Sequence, residues 1–390
     1  MPLNFELSEE QQLFVDQVRR FALEKLADGA RDRAHRRGFP FDVAQMMAQA
    51  GLLGITFAEV DGGMGGSLMD AVLAIEQVAL VCPRSADVVQ AGNFGPIRTF
   101  VEYATPAQKA RFLPDLLAGR AIISLGMSEP EAGSAVTELR THAKADGIGY
   151  LVNGSKVFST HSPDANLFLV YVRFGPGVEG IGSVLIERGM KGFTVGQASE
   201  FMSGEQWAQL YFEDCHIPAE NLLLGPGGFK KQIAGFNVER LGNSSRALSL
   251  GQYAFNQARN HALQRKQFGR HLAEFQGLQW KFADMAIKLE SARLLLYRAA
   301  TNAKNGLPSA YDTAIAKAAC NQAGFDAANE SVQVMGGMGY STEHLVEYCM
   351  RRTRGWMIAG GSIEMLKNRI AEGVFDRRFD QRPPRPLPAK

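Results

Sequence analysis

Only four cysteines occur in 390 residues, and Cys82, Cys215, Cys320 and Cys349 form no C-x-x-C pair. That scatter excludes a disulfide framework and the usual zinc spacings, and it reads as buried, reduced thiols with no metal site. No apolar run approaches the roughly 18 residues needed to cross a bilayer. Charge of one sign is also missing, since 42 Lys and Arg against 40 Asp and Glu leave +2 with no long basic block. The electrostatic footprint of a nucleic-acid binder is therefore absent, although local Lys and Arg suit a phosphate-bearing small ligand. The glycine-rich stretch Asp61-Gly-Gly-Met-Gly-Gly66 lacks both the GK[ST] ending and the G-x-G-x-x-G spacing. A P-loop or nicotinamide Rossmann site is not expected from it. The first residues are acidic (Glu6, Glu9, Glu10), and Ser8 with Gln11 forms a capping-box pattern into Leu13, Phe14 and Val18. A cleavable signal is basic and then apolar, so the expectation is a cytoplasmic protein with no membrane association.

What is present is an ordinary globular composition, 46% hydrophobic and 21% charged, long enough for roughly two or three domains. Three periodicities follow one another. Over 1–120 the apolar spacing is helical, as in Phe14, Val18 and Phe21, or Val72, Ile75, Val78 and Ala79. Over 121–225 short β-rich runs stand between Gly and Asp clusters: Leu151–Phe158, Leu167–Val172, Ser183–Ile186 and Gln209–Phe212. This predicts a small antiparallel sandwich or barrel. Over 226–380 long helical runs return, Glu274–Lys304 and Tyr311–Met335 among them, and predict a four-helix bundle. The class is thus α+β, with a proline-rich tail at 381–390 that cannot be helical.

One stretch carries the chemistry. Phe236-Asn237-Val238-Glu239-Arg240-Leu241-Gly242 sets a carboxylate beside a guanidinium among small residues, Gly235, Gly242, Ser244, Ser245 and Ala247. Small residues on a helix let a backbone or a flat ligand come close. A carboxyl kept from water has a raised pKa and can serve as a general base. The alternative is a solvated Glu-Arg pair on a helix surface.

Other segments shift that balance. Met127-Ser-Glu-Pro-Glu-Ala-Gly-Ser134, Asn153-Gly-Ser-Lys-Val-Phe-Ser-Thr160, Arg265-Lys-Gln-Phe-Gly269 and Gln333-Val-Met-Gly-Gly-Met-Gly-Tyr340 stand in that order. Together with the helical–β–helical organisation they resemble the acyl-CoA dehydrogenase family over almost the whole chain. The resemblance implies FAD as cofactor, an acyl-CoA substrate, a homotetramer and electron-transfer flavoprotein as acceptor. It implies that Met127 and Ser128 meet the flavin, with Phe158 packing beside it and Ser159 and Thr160 at hydrogen-bonding distance. Ser134 would lie between flavin and the CoA arm, with Arg240 also on the substrate side. Arg265 would pair with a pyrophosphate across a subunit interface, with Phe268 and Gln276 beside it. Gln333, Gly336 and Gly337 would cradle the adenosine, and Ser362 and Glu364 would border the flavin.

Two departures from the family pattern matter. Most members carry the base in a Y-E-G-T segment, and here Met357-Ile-Ala-Gly-Gly-Ser-Ile-Glu364 places Gly360 at that point. Relatives such as isovaleryl-CoA dehydrogenase carry it on the preceding helix, where Asn237-Val-Glu239-Arg240 fits. Glu239 is accordingly the expected base and Glu364 the fallback. The second departure is Arg84 in Val81-Cys-Pro-Arg-Ser-Ala-Asp87, which resembles glutaryl-CoA dehydrogenase and the 3-sulfinopropionyl-CoA desulfinases. There an arginine meets a distal anion, a role that suits a bidentate guanidinium. A helix-terminus arginine bonded to carbonyls is the equal alternative.

The expected activity is α,β-dehydrogenation of a short acyl-CoA, with an anionic end if Arg84 serves the substrate. A desulfinase-like lyase, an enoyl-CoA-type reductase, a flavin monooxygenase and a scaffold without flavin are the competing readings. Glu239 argues against the lyase, which needs no dehydrogenating base. The retained Thr160, Arg265 and Gln333 argue against the scaffold.

Overall fold

The computed structural model describes residues 6–380, so the proline-rich tail expected at 381–390 lies outside the described residues. Helix α1 (Glu9–Lys25) begins where the capping box places it: the Ser8 hydroxyl accepts the Gln11 N–H, and the Gln11 side chain accepts the Ser8 N–H. Six more helices follow: α2 (Ala30–His35), α3 (Phe41–Gln49), α4 (Leu68–Ala79), α5 (Ala86–Asn93), α6 (Pro96–Tyr103) and α7 (Pro106–Leu117). Helix α4 is apolar around nearly its whole circumference and is enclosed accordingly, with Val72, Ile75 and Val78 fully buried.

The central segment forms β1 (Ile123–Gly126), β2 (His142–Asp146), β3 (Gly149–Thr160), β4 (Leu167–Arg173) and β5 (Ile181–Glu187). It continues with β6 (Phe193–Val195), β7 (Ser199–Glu200), β8 (Gln206–Pro218) and β9 (Leu222–Leu224). Their order is β6-β8-β3-β2-β4-β5-β9, with β1 on β4 and β7 on β8. The sheet is mixed, which corrects the antiparallel expectation. Strand β1 runs parallel to β4 in the register Ile123↔Leu167, and β2 meets β4 in parallel at His142↔Arg173. After β1 the chain builds the β2–β3 hairpin and returns to its starting end, so β4 repeats the direction of β1. The signal was present in Leu167-Phe-Leu-Val-Tyr-Val172, an unbroken apolar run buried on both faces.

The last third is helical. Helix α8 (Phe229–Gln264) leads through the hairpin β10 (Lys266–Gln267) and β11 (Arg270–His271) into α9 (Gln276–Thr301) and α10 (Ala310–Met335). Helices α11 (Gly337–Tyr340), α12 (Val346–Trp356) and α13 (Ile363–Val374) complete it, α12 packing on α8 and α10, and α13 on α10. Helices α8 and α10 touch backbone to backbone, since a Cβ on Gly251 would stand 2.6 Å from the Cα of Gly324. That contact holds α8 against α10, while α4, α5 and α6 of the N-terminal domain also pack on α8.

Candidate active site

Glu239 is partly exposed on α8, and two side-chain amides hold its carboxylate. Gln90 on α5 donates from Nε2 to Oε2 at 2.6 Å, and Asn243, one turn further along α8, donates from Nδ2 to Oε1 at 3.2 Å. Three glycines leave room for this arrangement. A Cβ on Gly95 would lie 2.5 Å from Glu239 Oε2, one on Gly242 would overlap Gln90 Oε1, and one on Gly360 would lie 2.9 Å from Asn243 Nδ2. The two places where a base was sought in the sequence thus meet in space: Gly360 faces the amide that holds Glu239. Burial raises the Glu239 carboxyl above the ordinary carboxylate range, against the pull of Arg246, Gln90, Asn243 and Lys317.

The loop carrying Gly360 is strapped from two sides. Arg240 donates from Nε to the Gly360 carbonyl at 2.9 Å and from Nη1 to Asn237 Oδ1 at 2.8 Å. From α10, buried Lys317 donates to the carbonyls of Trp356 at 2.9 Å and Gly361 at 3.1 Å. Burial and the nearby Arg240 pull the Lys317 ammonium down to about 7, with Glu239 acting in the opposite direction.

Arg84 does not open onto a pocket. It is 3% exposed, and it donates to Asp87 at 2.6 Å and to the Gly38 carbonyl at 3.0 Å, with Glu205 at 3.5 Å. Asp87 also accepts from Arg246 at 2.7 Å and Arg352 at 3.1 Å, and Arg352 pairs with both oxygens of Glu205. Trp356 receives Arg246 and Arg352 over its ring, at 4.6 and 4.4 Å from the centroid. Burial alone would raise the Asp87 carboxyl, yet Arg352, Arg246 and Arg84 outweigh it and hold Asp87 well below the usual range. His161 is driven down to about 3, by burial and then by Arg84, and stays neutral beside them. The geometry therefore favours an internally paired Arg84 over an arginine waiting for a substrate anion.

The flavin-type residues fall into two groups. Met127 and Ser128 follow β1, and their carbonyls accept from Lys156 Nζ at 3.2 Å and from the Val157 N–H at 2.9 Å. Beside them the β3–β8 register slips between Lys156 and Ser159, and Phe158 turns out at φ +56°. Phe158 is 58% exposed and packs on Trp207 at 4.7 Å, with Phe201 behind. An exposed aromatic face held by backbone strain fits a flat ring system such as a flavin. Ser159 next to it is buried, and its Oγ has no partner. The Thr160 carbonyl accepts from Ser124, while Ser134 is exposed beside Gly133, whose surroundings are open.

The second group is exposed at the far end of the helices. Arg265 closes α8, Phe268 forms the hairpin tip at 95% exposure, Gln276 opens α9, Gln333 and Gly336 end α10, and Gly337 opens α11. Arg265 stands 26 residues beyond Glu239 along one helix, or roughly 39 Å at 1.5 Å per residue. At that separation Arg265 is out of reach of a group bound beside Glu239 in the same chain. Ser362 caps α13 and accepts the Met365 N–H at 3.4 Å. Glu364 is exposed in the first turn of α13, where its own backbone N–H and the Ser362 side chain lower its pKa. It is an exposed helix-end charge, and its lowered pKa suits a general base less well than the raised one of Glu239.

Sequence reasoning overlooked Gln90, Asn243, Arg246 and Lys317. The signal for Gln90 was Gly242, whose missing side chain the glutamine occupies. The interior charges Asp87, Glu205 and Arg352 carried no motif at all.

A helical domain, a mixed β-domain and a helical bundle around a held carboxylate define a flavoprotein architecture. The chain belongs to the acyl-CoA dehydrogenase family, whose members are FAD enzymes. Residues 8–120, 124–215 and 226–375 match its N-terminal, middle and C-terminal domains. It is 34% identical to a short-chain specific acyl-CoA dehydrogenase of Clostridium acetobutylicum, over 96% of this chain and all of that one. It is 31% identical to a 3-sulfinopropanoyl-CoA desulfinase of Paraburkholderia xenovorans, over 97% of this chain and 99% of that one. The solved butyryl-CoA dehydrogenase of Megasphaera elsdenii superimposes with a TM-score of 0.89 at 31% identity, covering 96% of this chain and all of the other.

Proposed function

We propose that this protein dehydrogenates a short acyl-CoA at the α,β bond, with Glu239 as the base. The observation that supports the reading is the partly buried Glu239 carboxylate, raised in pKa and held by two amide donors beside the space that Gly360 leaves. A base works best with a pKa near the working pH, and burial moves Glu239 that way. Its ionised oxygens take the proton from the substrate α-carbon, and Gln90 and Asn243 fix their direction. When bound, FAD supplies the hydride acceptor for the β-carbon. Phe158, Ser128, Ser159 and Thr160 would hold the flavin ring, and Ser134 and Arg240 would line the substrate side.

A short neutral acyl group suits the internally paired Arg84 better than a dicarboxyl one. Air-free mixing with butyryl-, isobutyryl-, succinyl- and glutaryl-CoA tests this through bleaching of the flavin colour. Butyryl- or isobutyryl-CoA is expected to bleach fastest, and Arg84→Ala is expected to weaken neutral and anionic esters by similar factors. Preference for glutaryl-CoA, lost roughly 10- to 150-fold on Arg84→Ala, would instead make Arg84 a substrate ligand.

The same proposal includes a homotetramer that passes electrons to an electron-transfer flavoprotein. The separation of Arg265 from Glu239 supports a cofactor shared between chains. So does the seven-residue spacing of exposed Trp280, Ile287 and Leu294 along α9, an apolar stripe that a second copy can cover. Arg265→Ala is expected to lower both flavin retention and assembly size, measured by absorbance and light scattering. Loss of neither would place the pyrophosphate elsewhere. Four buried free thiols suit a reducing compartment such as the cytoplasm.

A further inference from the structure

We infer that Gln90 is a positioning residue for Glu239, acting with an Asn243 whose amide is locked by Arg246. The inference rests on Glu239 being the base. Asn243 Oδ1 accepts from Arg246 Nη2 at 2.5 Å, and a carbonyl oxygen can only accept, so its Nδ2 must face Glu239. Arg246 is itself anchored on Asp87, one turn before Gln90 on α5. Both amides are therefore set by the same pair of helices. The glycines at 95, 242 and 360 leave the volume that the carboxylate and its two amides fill. Glu239 has been given a fitted holder, which an incidental surface pair would not need.

Gln90 has one further property. It is 4% exposed, and its Oε1 is buried without a partner. Such an acceptor is costly to leave unpaired. The unpaired Oε1 is the cost of holding Nε2 on the carboxylate of Glu239, so the Gln90 amide favours the charged form of the base.

The charged groups around Glu239 are Arg240 and Arg246 on α8, Lys317 on α10, and, through Arg246, Asp87 on α5 and Arg352 on α12. None of them is altered by Gln90→Met. That substitution removes a hydrogen bond to the charged form of Glu239, so the carboxyl pKa rises further. The base is active only when ionised, so activity disappears at a higher pH than in the wild type. The acid limb of flavin bleaching against pH is expected to move up by about one to two units, on top of any fall in the high-pH plateau from the lost positioning, with flavin content kept. Gly242→Ala, whose methyl group would displace Gln90 Oε1, is expected to move the limb the same way. The flavin-loaded enzyme is used throughout, with butyryl-CoA as the probe. An unmoved limb in Gln90→Met and Gly242→Ala, or a loss equal at every pH, overturns the positioning role. Glu239→Gln run alongside separates the two failures. If it still bleaches, the base assignment falls and the inference with it. If it is inactive while Gln90→Met keeps the wild-type profile, only the inference falls.

Discussion

Glu239→Gln is expected to slow flavin bleaching by butyryl-CoA about 10²–10⁴-fold, the usual contribution of a general base. The amide keeps the size and both neighbours of the carboxylate but cannot take a proton, so flavin content and assembly should match the wild type. Rapid-mixing absorbance measures the loss, and a rate within a few-fold of wild type would remove Glu239 from the chemistry. A glutamate at 360, where most of the family carries it, is not expected to restore turnover in that background. Gly360 sits at φ +74°, and its added Cβ would lie 2.9 Å from Asn243 Nδ2 and 3.2 Å from Lys317 Cε. The backbone disfavours a side chain there, and the holder of Glu239 fills the place the new carboxylate would need. With Glu239 as the proposed base on the facing helix, residue 360 need not supply one.

The second large effect is expected in stability. Asp87→Ala leaves Arg84, Arg246 and Arg352 buried with only Glu205 between them, and breaking a buried ion pair in this way costs about 3–5 kcal/mol. Burial by itself works against ionised Asp87, but the three guanidiniums decide its state. The lost charge therefore cannot be replaced by water. The variant should melt well below wild type, measured at fixed protein and FAD concentrations because both bind the folded state. Asp42→Ala is the matched comparison. Its partner Arg36 is half-exposed, and such surface pairs contribute about 0–1 kcal/mol. Equal melting shifts in the two variants would mean that the interior cluster is not a coupled unit.

The elements were legible where pattern and length agreed. The capping box at Ser8 and the long runs in the last third are local signals, and α9 and α10 fall within a few residues of their expected limits. Glu239 could be singled out because its helix carries small residues and because Gly360 removes the alternative. What was not legible depends on pairing between distant segments. The parallel β1–β4 contact is set by where the hairpin returns the chain, which no periodicity records. Arg84 has the same side chain whether it binds a substrate anion or Asp87. Only the arrival of Glu205 from β-domain residues and Arg352 from α12 decides between them. Gln90 lies 149 residues from its carboxylate, and its place was marked only by a glycine on the other helix.

The most direct test of dehydrogenation by this site is product analysis after air-free incubation of the flavin-loaded enzyme with butyryl-CoA and, separately, with 3-sulfinopropanoyl-CoA. Mass spectrometry of the CoA esters is read together with flavin colour and sulfite release. The expected result is an enoyl-CoA lighter than butyryl-CoA by two hydrogens, formed as the flavin bleaches and absent with Glu239→Gln, with no sulfite from the second ester. Sulfite released without bleaching, at equal rates in wild type and Glu239→Gln, together with unchanged butyryl-CoA, would contradict the account and make the protein a lyase on the same fold.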